Sequence, residues 1–182
     1  MKGATFTAAI IALLLSPLPC DAFAQSAPAL APQIRLTSRV ITDPLGSLRP
    51  KALPGAVIEY ELAVSNVARA TTANNIFAIT SPVPPQLMLI VGMPDAAPGT
   101  AFEFVNQSGG GRDGCSIETL ASSADCVEFS DNGGRTFDYV PTPGSDGVDG
   151  RVTHLRFKVR TDGDLSPTDI GQFLLRYRMV ME

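Results

Sequence analysis

The sequence predicts an all-β fold, an immunoglobulin-like β-sandwich of seven or eight strands, and three observations carry that expectation. Several stretches alternate apolar and polar residues with a period of two, the pattern of a strand with one buried face. Turn-forming residues are abundant, with 16 Gly and 15 Pro in 182 residues. No helical period follows the first segment.

The clearest strand runs from Pro54 to Asn66. After a Pro-Gly turn, Ile58, Tyr60, Leu62 and Val64 share one parity, and Glu59, Glu61 and Ser65 take the other. Before it, Ile34, Leu36 and Val40 alternate as a first strand whose apolar side is expected to face inward. Asp43-Pro44-Leu45-Gly46 then makes a turn and Arg49 to Gly55 a connection. Tyr60 and Asn66 are expected to serve core packing and turn hydrogen bonding respectively.

Beyond the loop Ala68 to Asn75, Ile76 to Thr80 reads as extended. Ser81-Pro82-Val83-Pro84-Pro85 lacks donors for a central strand and reads as a crossover between sheets. Leu87 to Val91 is apolar on both parities, so a loop is expected to cover one end. Phe102 to Val105 is a further short strand. Val127 to Phe129 and Thr136 to Val140 flank Ser130 to Arg135, whose Asn-Gly and Gly-Gly steps supply the positive φ of a tight hairpin. Pro141 to Gly150 reads as a polar loop. Thr153, Leu155, Phe157 and Val159 then point inward, as do Phe173, Leu175, Tyr177 and Met179 after the loop Asp162 to Asp169.

Residues 1–24 are expected to be a signal peptide rather than part of the fold. Lys2 gives a positive start, Ala8 to Leu15 an uncharged apolar run, and Ala22-Phe23-Ala24 a peptidase site, with cleavage between Ala24 and Gln25. Residues 25–33 form an Ala/Pro-rich leader, and 34–182 the sandwich. No later run approaches the about 20 apolar residues of a membrane span, so no transmembrane anchor is expected in the mature chain. Pro19 stands where a lipidation site carries a small residue, which argues against a lipid anchor at Cys20. Cleavage would leave Cys115 and Cys126, expected to form a disulfide stapling an insertion near residues 106–126.

Chemistry is sparse. The net charge of −4 argues against nucleic acid as a partner. The single histidine, His154, falls on the solvent parity of its strand without a nucleophile-elbow motif nearby. Gly109-Gly110-Gly111-Arg112 lacks the Lys-Ser/Thr of a phosphate loop. Ser130 to Phe137 resembles the Asp-box turn of sialidase propellers, which reflects hairpin mechanics in a chain too short for a propeller. Asn106-Gln107-Ser108 matches a glycosylation sequon. Asp138, Asp146 and Asp149 have the oxygen chemistry of calcium ligands without EF-hand spacing. No cofactor is expected. Arg156, Lys158, Arg160, Arg176 and Arg178 form a candidate interaction face for an acidic partner, with Glu59 and Glu61 as structural counter-charges across a sheet.

Pro54-Gly55, Tyr60 and Val64-Ser65-Asn66 resemble the signature of the bacterial conserved-repeat domain (domain of unknown function 11). Ile79 to Pro84, Val127 to Phe137 and Thr153 to Phe157 resemble its later segments in single-copy exported proteobacterial members. Ser81 replaces the Asp that many members carry there. The resemblance implies a cell-envelope or secreted sandwich, periplasmic, surface-bound or released, whose partner is a protein or envelope component. It says nothing about catalysis, and the missing nucleophile, metal and base constellation counts against an enzyme. The expected function is therefore non-enzymatic, structural or protein-interacting. The alternative is a ligand-binding module for carbohydrate or an acidic partner, although a chain with no Trp and 3 Tyr offers little sugar-stacking surface.

Overall fold

The computed structural model describes residues 31–67, 76–92, 101–107, 114–115, 117, 119–121, 124–160 and 171–182. The signal-peptide, Cys20, Ala24–Gln25 and Gly109–Arg112 readings, most of the leader, and the loops Ala68 to Asn75 and Asp162 to Asp169 lie outside these residues. So do Ser108 of the sequon and the side chain of Asn66.

The described chain is all β, with nine strands in two antiparallel sheets. They are β1 (Gln33–Thr42), β2 (Val57–Val67), β3 (Ile76–Pro82), β4 (Leu87–Ile90), β5 (Phe102–Asn106), β6 (Val127–Ser130), β7 (Val148–Asp149), β8 (His154–Arg160) and β9 (Gly171–Met181). The larger sheet has the order β1-β2-β9-β4-β7, with β5 following β4 along the same flank of β9. The smaller is β3-β8-β6.

Between the sheets lies one core. Phe157 of β8 stands 5.5 Å from the Tyr177 ring of β9, and Phe77 of β3 stands 6.2 Å from Phe173. Leu155, Phe157, Val159, Phe173 and Met179 are fully buried, as their parity predicts. A polar pair also crosses the core: the Ser81 and Tyr177 hydroxyls hydrogen-bond at 2.9 Å. Burial pushes the Tyr177 phenol above its ordinary pKa, so it stays a neutral hydroxyl able to donate or accept.

The strand order is not the immunoglobulin one, in which the last strand lies at an edge of the sheet opposite the first two. Here β9 lies beside β2 in the middle of the larger sheet. Three pairs nest inside one another: β2 with β9, β3 with β8, and β4 with β7. One long ribbon, β2 to β4 outward and β7 to β9 back, is in effect wound into two sheets. The nesting brings the start of β2 beside the end of β9, where the Gly55 amide donates to the Met181 carbonyl at 2.7 Å.

Four local expectations need correction. β3 runs on through Ser81 and Pro82 instead of ending at Thr80; it is an edge strand, where a missing N–H costs nothing in the ladder. Thr136 to Val140 is not a strand, and only Tyr139 bridges back to Phe129. Within the expected loop Pro141 to Gly150, Val148 and Asp149 pair with β4. Finally, Ile34 and Leu36 take the inward side, opposite Val64 and Leu62, but are not buried: they stay 53% and 49% exposed, because the described strands of the smaller sheet do not cover β1. The loop expected over β4 is found, with the Val91 amide donating to the Gly147 carbonyl.

Candidate functional site

The candidate basic face is two surfaces, not one. Arg156, Lys158 and Arg160 lie on β8 in the smaller sheet, while Arg176 and Arg178 lie on β9 in the larger. Parity tells which side of a sheet a residue takes, and here the two outward sides face opposite directions.

Each surface carries its own counter-charges. On the larger sheet, Glu59 takes Arg39 at 2.6 Å and Arg178 at 3.1 Å. One rank along, Arg176 joins Glu61 at 2.8 Å and Glu103 at 3.1 Å. On the smaller sheet the partner is Glu128, which accepts from Arg156 Nε and Lys158 Nζ, each at 2.5 Å. Glu59 and Glu61 therefore neutralise the β9 arginines and Arg39 of β1, but none of the β8 cations. Arg156 also lies over the Phe137 ring, 4.2 Å from its centroid.

Burial alone opposes ionisation of Glu59 and Glu128. Hydrogen bonds and charge from Arg39 and Arg178 at the first, and from Lys158 and Arg156 at the second, outweigh it and hold both carboxyls below the ordinary 4.5. The unfolded chain then takes up protons first as pH falls. The stability these groups contribute is fully present above pH 4.5 and lost as pH falls through their lower folded values. A urea midpoint measured against pH should hold level to that point and then drop. Glu128→Gln should lower the neutral plateau and flatten part of the drop.

The Ser130–Thr136 turn is built from side-chain hydrogen bonds. Ser130 Oγ accepts from the Asn132 and Gly134 amides, and Asn132 Oδ1 accepts from the Arg135 and Thr136 amides at 3.1 Å. Gly133 and Gly134 have φ of 76° and 77°. The turn folds over His154, so that a Cβ at Gly134 would lie 3.2 Å from the imidazole Cδ2. His154 is thus half-buried rather than an open surface residue, and its Nδ1 is buried without a partner. Ser130 Oγ donates to Asn132 Oδ1, not to the imidazole, so no nucleophile–base pair forms here. Gly134→Ala combines left-handed backbone strain with this contact and should cost about 1–3 kcal/mol in chemical denaturation.

The loop acids do not converge. Asp149 is buried and accepts from the Tyr139 hydroxyl and the Thr142 amide, each at 2.7 Å, and from the Arg151 amide at 2.9 Å. Asp138 accepts from Thr136 Oγ1 and Asp146 from the Val148 amide. Among the described residues no group of three or more His, Cys, Asp or Glu is arranged to hold a metal. Asp43, which its Asp-Pro-Leu-Gly sequence marks only as a turn residue, is also buried. Its carboxylate accepts from the Leu45, Ser47 and Lys51 amides and fixes the loop that leaves Leu48 wholly exposed.

Cys115 and Cys126 are joined in a disulfide, with Cα atoms 5.0 Å apart. It ties the segment before β6 to the rim of the smaller sheet, where Gly114 bridges to Arg160 and the Lys158 amide donates to the Cys126 carbonyl. A shallow depression of about 370 Å³ on the larger sheet is lined by Thr37, Ser38, Arg39, Glu59, Glu61 and Arg176. Its ionic groups are those already paired with one another. Among the described residues no helix is long and apolar enough to cross a membrane. Comparison with protein-family models, with curated proteins and with solved structures finds no match to this chain.

Proposed function

We propose that this protein is a non-enzymatic, exported β-sandwich that acts by structure or protein contact at the cell envelope, as a single-copy relative of the conserved-repeat domain. The observation that carries the reading is the Cys115–Cys126 disulfide, which is compatible with an oxidising compartment. The resemblance of its segments to exported sandwich proteins points the same way, as does the signal-like start. The non-catalytic part rests on how polar groups are used. Asp43, Asp149 and Ser130 hold backbone amides, and Glu59 and Glu128 hold cations within their own sheets. A binding role for the basic residues is not favoured, because Arg156, Lys158, Arg176 and Arg178 are matched by acids beside them.

In vivo cross-linking tests the reading. A tagged copy in intact cells should be recovered from the envelope or periplasmic fraction in covalent complexes with envelope components. Recovery from the cytosol, uncross-linked, would contradict it.

A further inference from the structure

β1 has no role in the proposed function. It is an edge strand of ten residues, and among the described residues nothing pairs with its outer side. Long edges are normally blunted by proline, charged side chains, a central bulge or a covering element. This one has no proline or lysine, its charged side chains are Arg35 and Arg39, and its single register shift lies at its far end, between Val40 and Thr42. Ile34 and Leu36 share the parity of the buried Val64 and Leu62 opposite them, yet both are about half exposed, at 53% and 49%. On the other parity Arg35 has no ionic or hydrogen-bonded partner among the described residues, whereas Arg39 is held by Glu59.

We infer that β1 pairs antiparallel with β1 of a second copy, about a twofold axis at Leu36, joining the two larger sheets into one. Directly opposed residues of an antiparallel pair lie on the same side, so the register decides which groups meet. Centred on Leu36, the pairing sets Leu36 against Leu36, Ile34 against Ser38, and Arg35 against Thr37. Centring on Arg35 opposes two copies of Arg35, and centring on Thr37 opposes Arg35 to Arg39; both place like charges face to face. A slip of one residue sets arginine beside leucine.

The chosen register also supplies Arg35 with a counter-charge. Thr37 is paired with Glu61 on β2, and Glu61 belongs to a rank in which Arg176 is shared by two carboxylates, Glu61 and Glu103. Arg35 of the second copy, passing over the small Thr37 side chain, enters the depression bounded by Thr37 and Glu61 and evens that rank to two acids and two cations. By symmetry it does so twice. An interface of this kind is isologous and closed, so it yields dimers rather than fibres. Its small extent places it with the weaker, transient associations. The inference adds a partner to the proposed interaction role but does not depend on export.

Sedimentation of the purified protein over a concentration series tests the pairing, with Cys20→Ser present in every variant so that export has no bearing on the result. A reversible monomer–dimer equilibrium is expected. Leu36→Lys, which opposes two ammonium groups at the axis, should weaken it at least tenfold and leave the melting temperature of the monomer unchanged. Under mild oxidation Leu36→Cys should give a covalent dimer, whereas Arg35→Cys, facing Thr37 on the other side, should not. A monomer at every concentration, a dimer indifferent to Leu36→Lys, or equal cross-linking by the two cysteine variants would each overturn the inference.

Discussion

Phe157→Ala should lower stability by about 3–5 kcal/mol, the cost of removing a large buried aromatic and leaving a cavity. The residue sits at the centre of the smaller sheet, fully buried, where it joins three strands' aromatic side chains. Its ring centroid is 6.5 Å from that of Phe102 and 5.5 Å from that of Tyr177, and Tyr177 in turn stacks on Tyr60 at 5.5 Å. Collapse around the void is limited because both sheets' backbones are fixed by their ladders. A domain of this size has only about 5–15 kcal/mol in total, so the variant should unfold at much lower urea than the parent, with an unchanged m-value. Leu48→Ala, on a wholly exposed side chain, is the matched control and should stay within about 0.5 kcal/mol of the parent.

Removing the disulfide should rank next. With a sequence separation of 11, the Cys115–Cys126 link is worth about 3 kcal/mol in the chain-entropy account. The loss should be felt locally as well. Cys126 is buried directly before β6, and its carbonyl accepts the Lys158 amide, while Gly114 exchanges two bonds with Arg160. In Cys115→Ser/Cys126→Ser, hydrogen exchange should rise at Gly114 and around Cys126. The β2–β9 ladder, which shares no residue with the staple, should keep its protection. Unchanged exchange at Gly114 would show that the backbone bridge alone holds the segment.

What the sequence made legible follows from the physics of a two-residue period. Phe157, Val159, Phe173 and Met179 are inside because alternation assigns faces directly, and long strands give the period room to show. Alternation says nothing about which strand lies alongside. The separation of Arg156 and Lys158 from Arg176 and Arg178, and the capture of the first two by Glu128, depend on pairing partners. So does the nested order that replaces the immunoglobulin one. Ile34 and Leu36 read as core because their parity is right, but burial also needs an opposing sheet wide enough to cover them. Two-residue β7 is too short to show any period. The Ser130–Thr136 turn was readable from its Asn-Gly and Gly-Gly steps. Its far arm was not, since Tyr139 is drawn to Asp149 and Phe137 to Arg156 after a single bridge.

The nested connectivity has a kinetic consequence. Pairs such as Val57 with Val180 and Glu61 with Arg176 join residues far apart in the chain, so loop-closure entropy must be met before the central ladder forms. Folding is therefore expected to be slow for a domain of this size.

Export of an oxidised chain is therefore the claim on which the functional account stands, and the intact mass of the native protein, taken from separated cell fractions, tests it most directly. Recovery is expected from the envelope, the periplasm or the medium as a chain beginning at Gln25, with Cys115 and Cys126 refusing an alkylating reagent until reduced. A cytosolic protein that retains residues 1–24 and alkylates at both cysteines without reduction would contradict it.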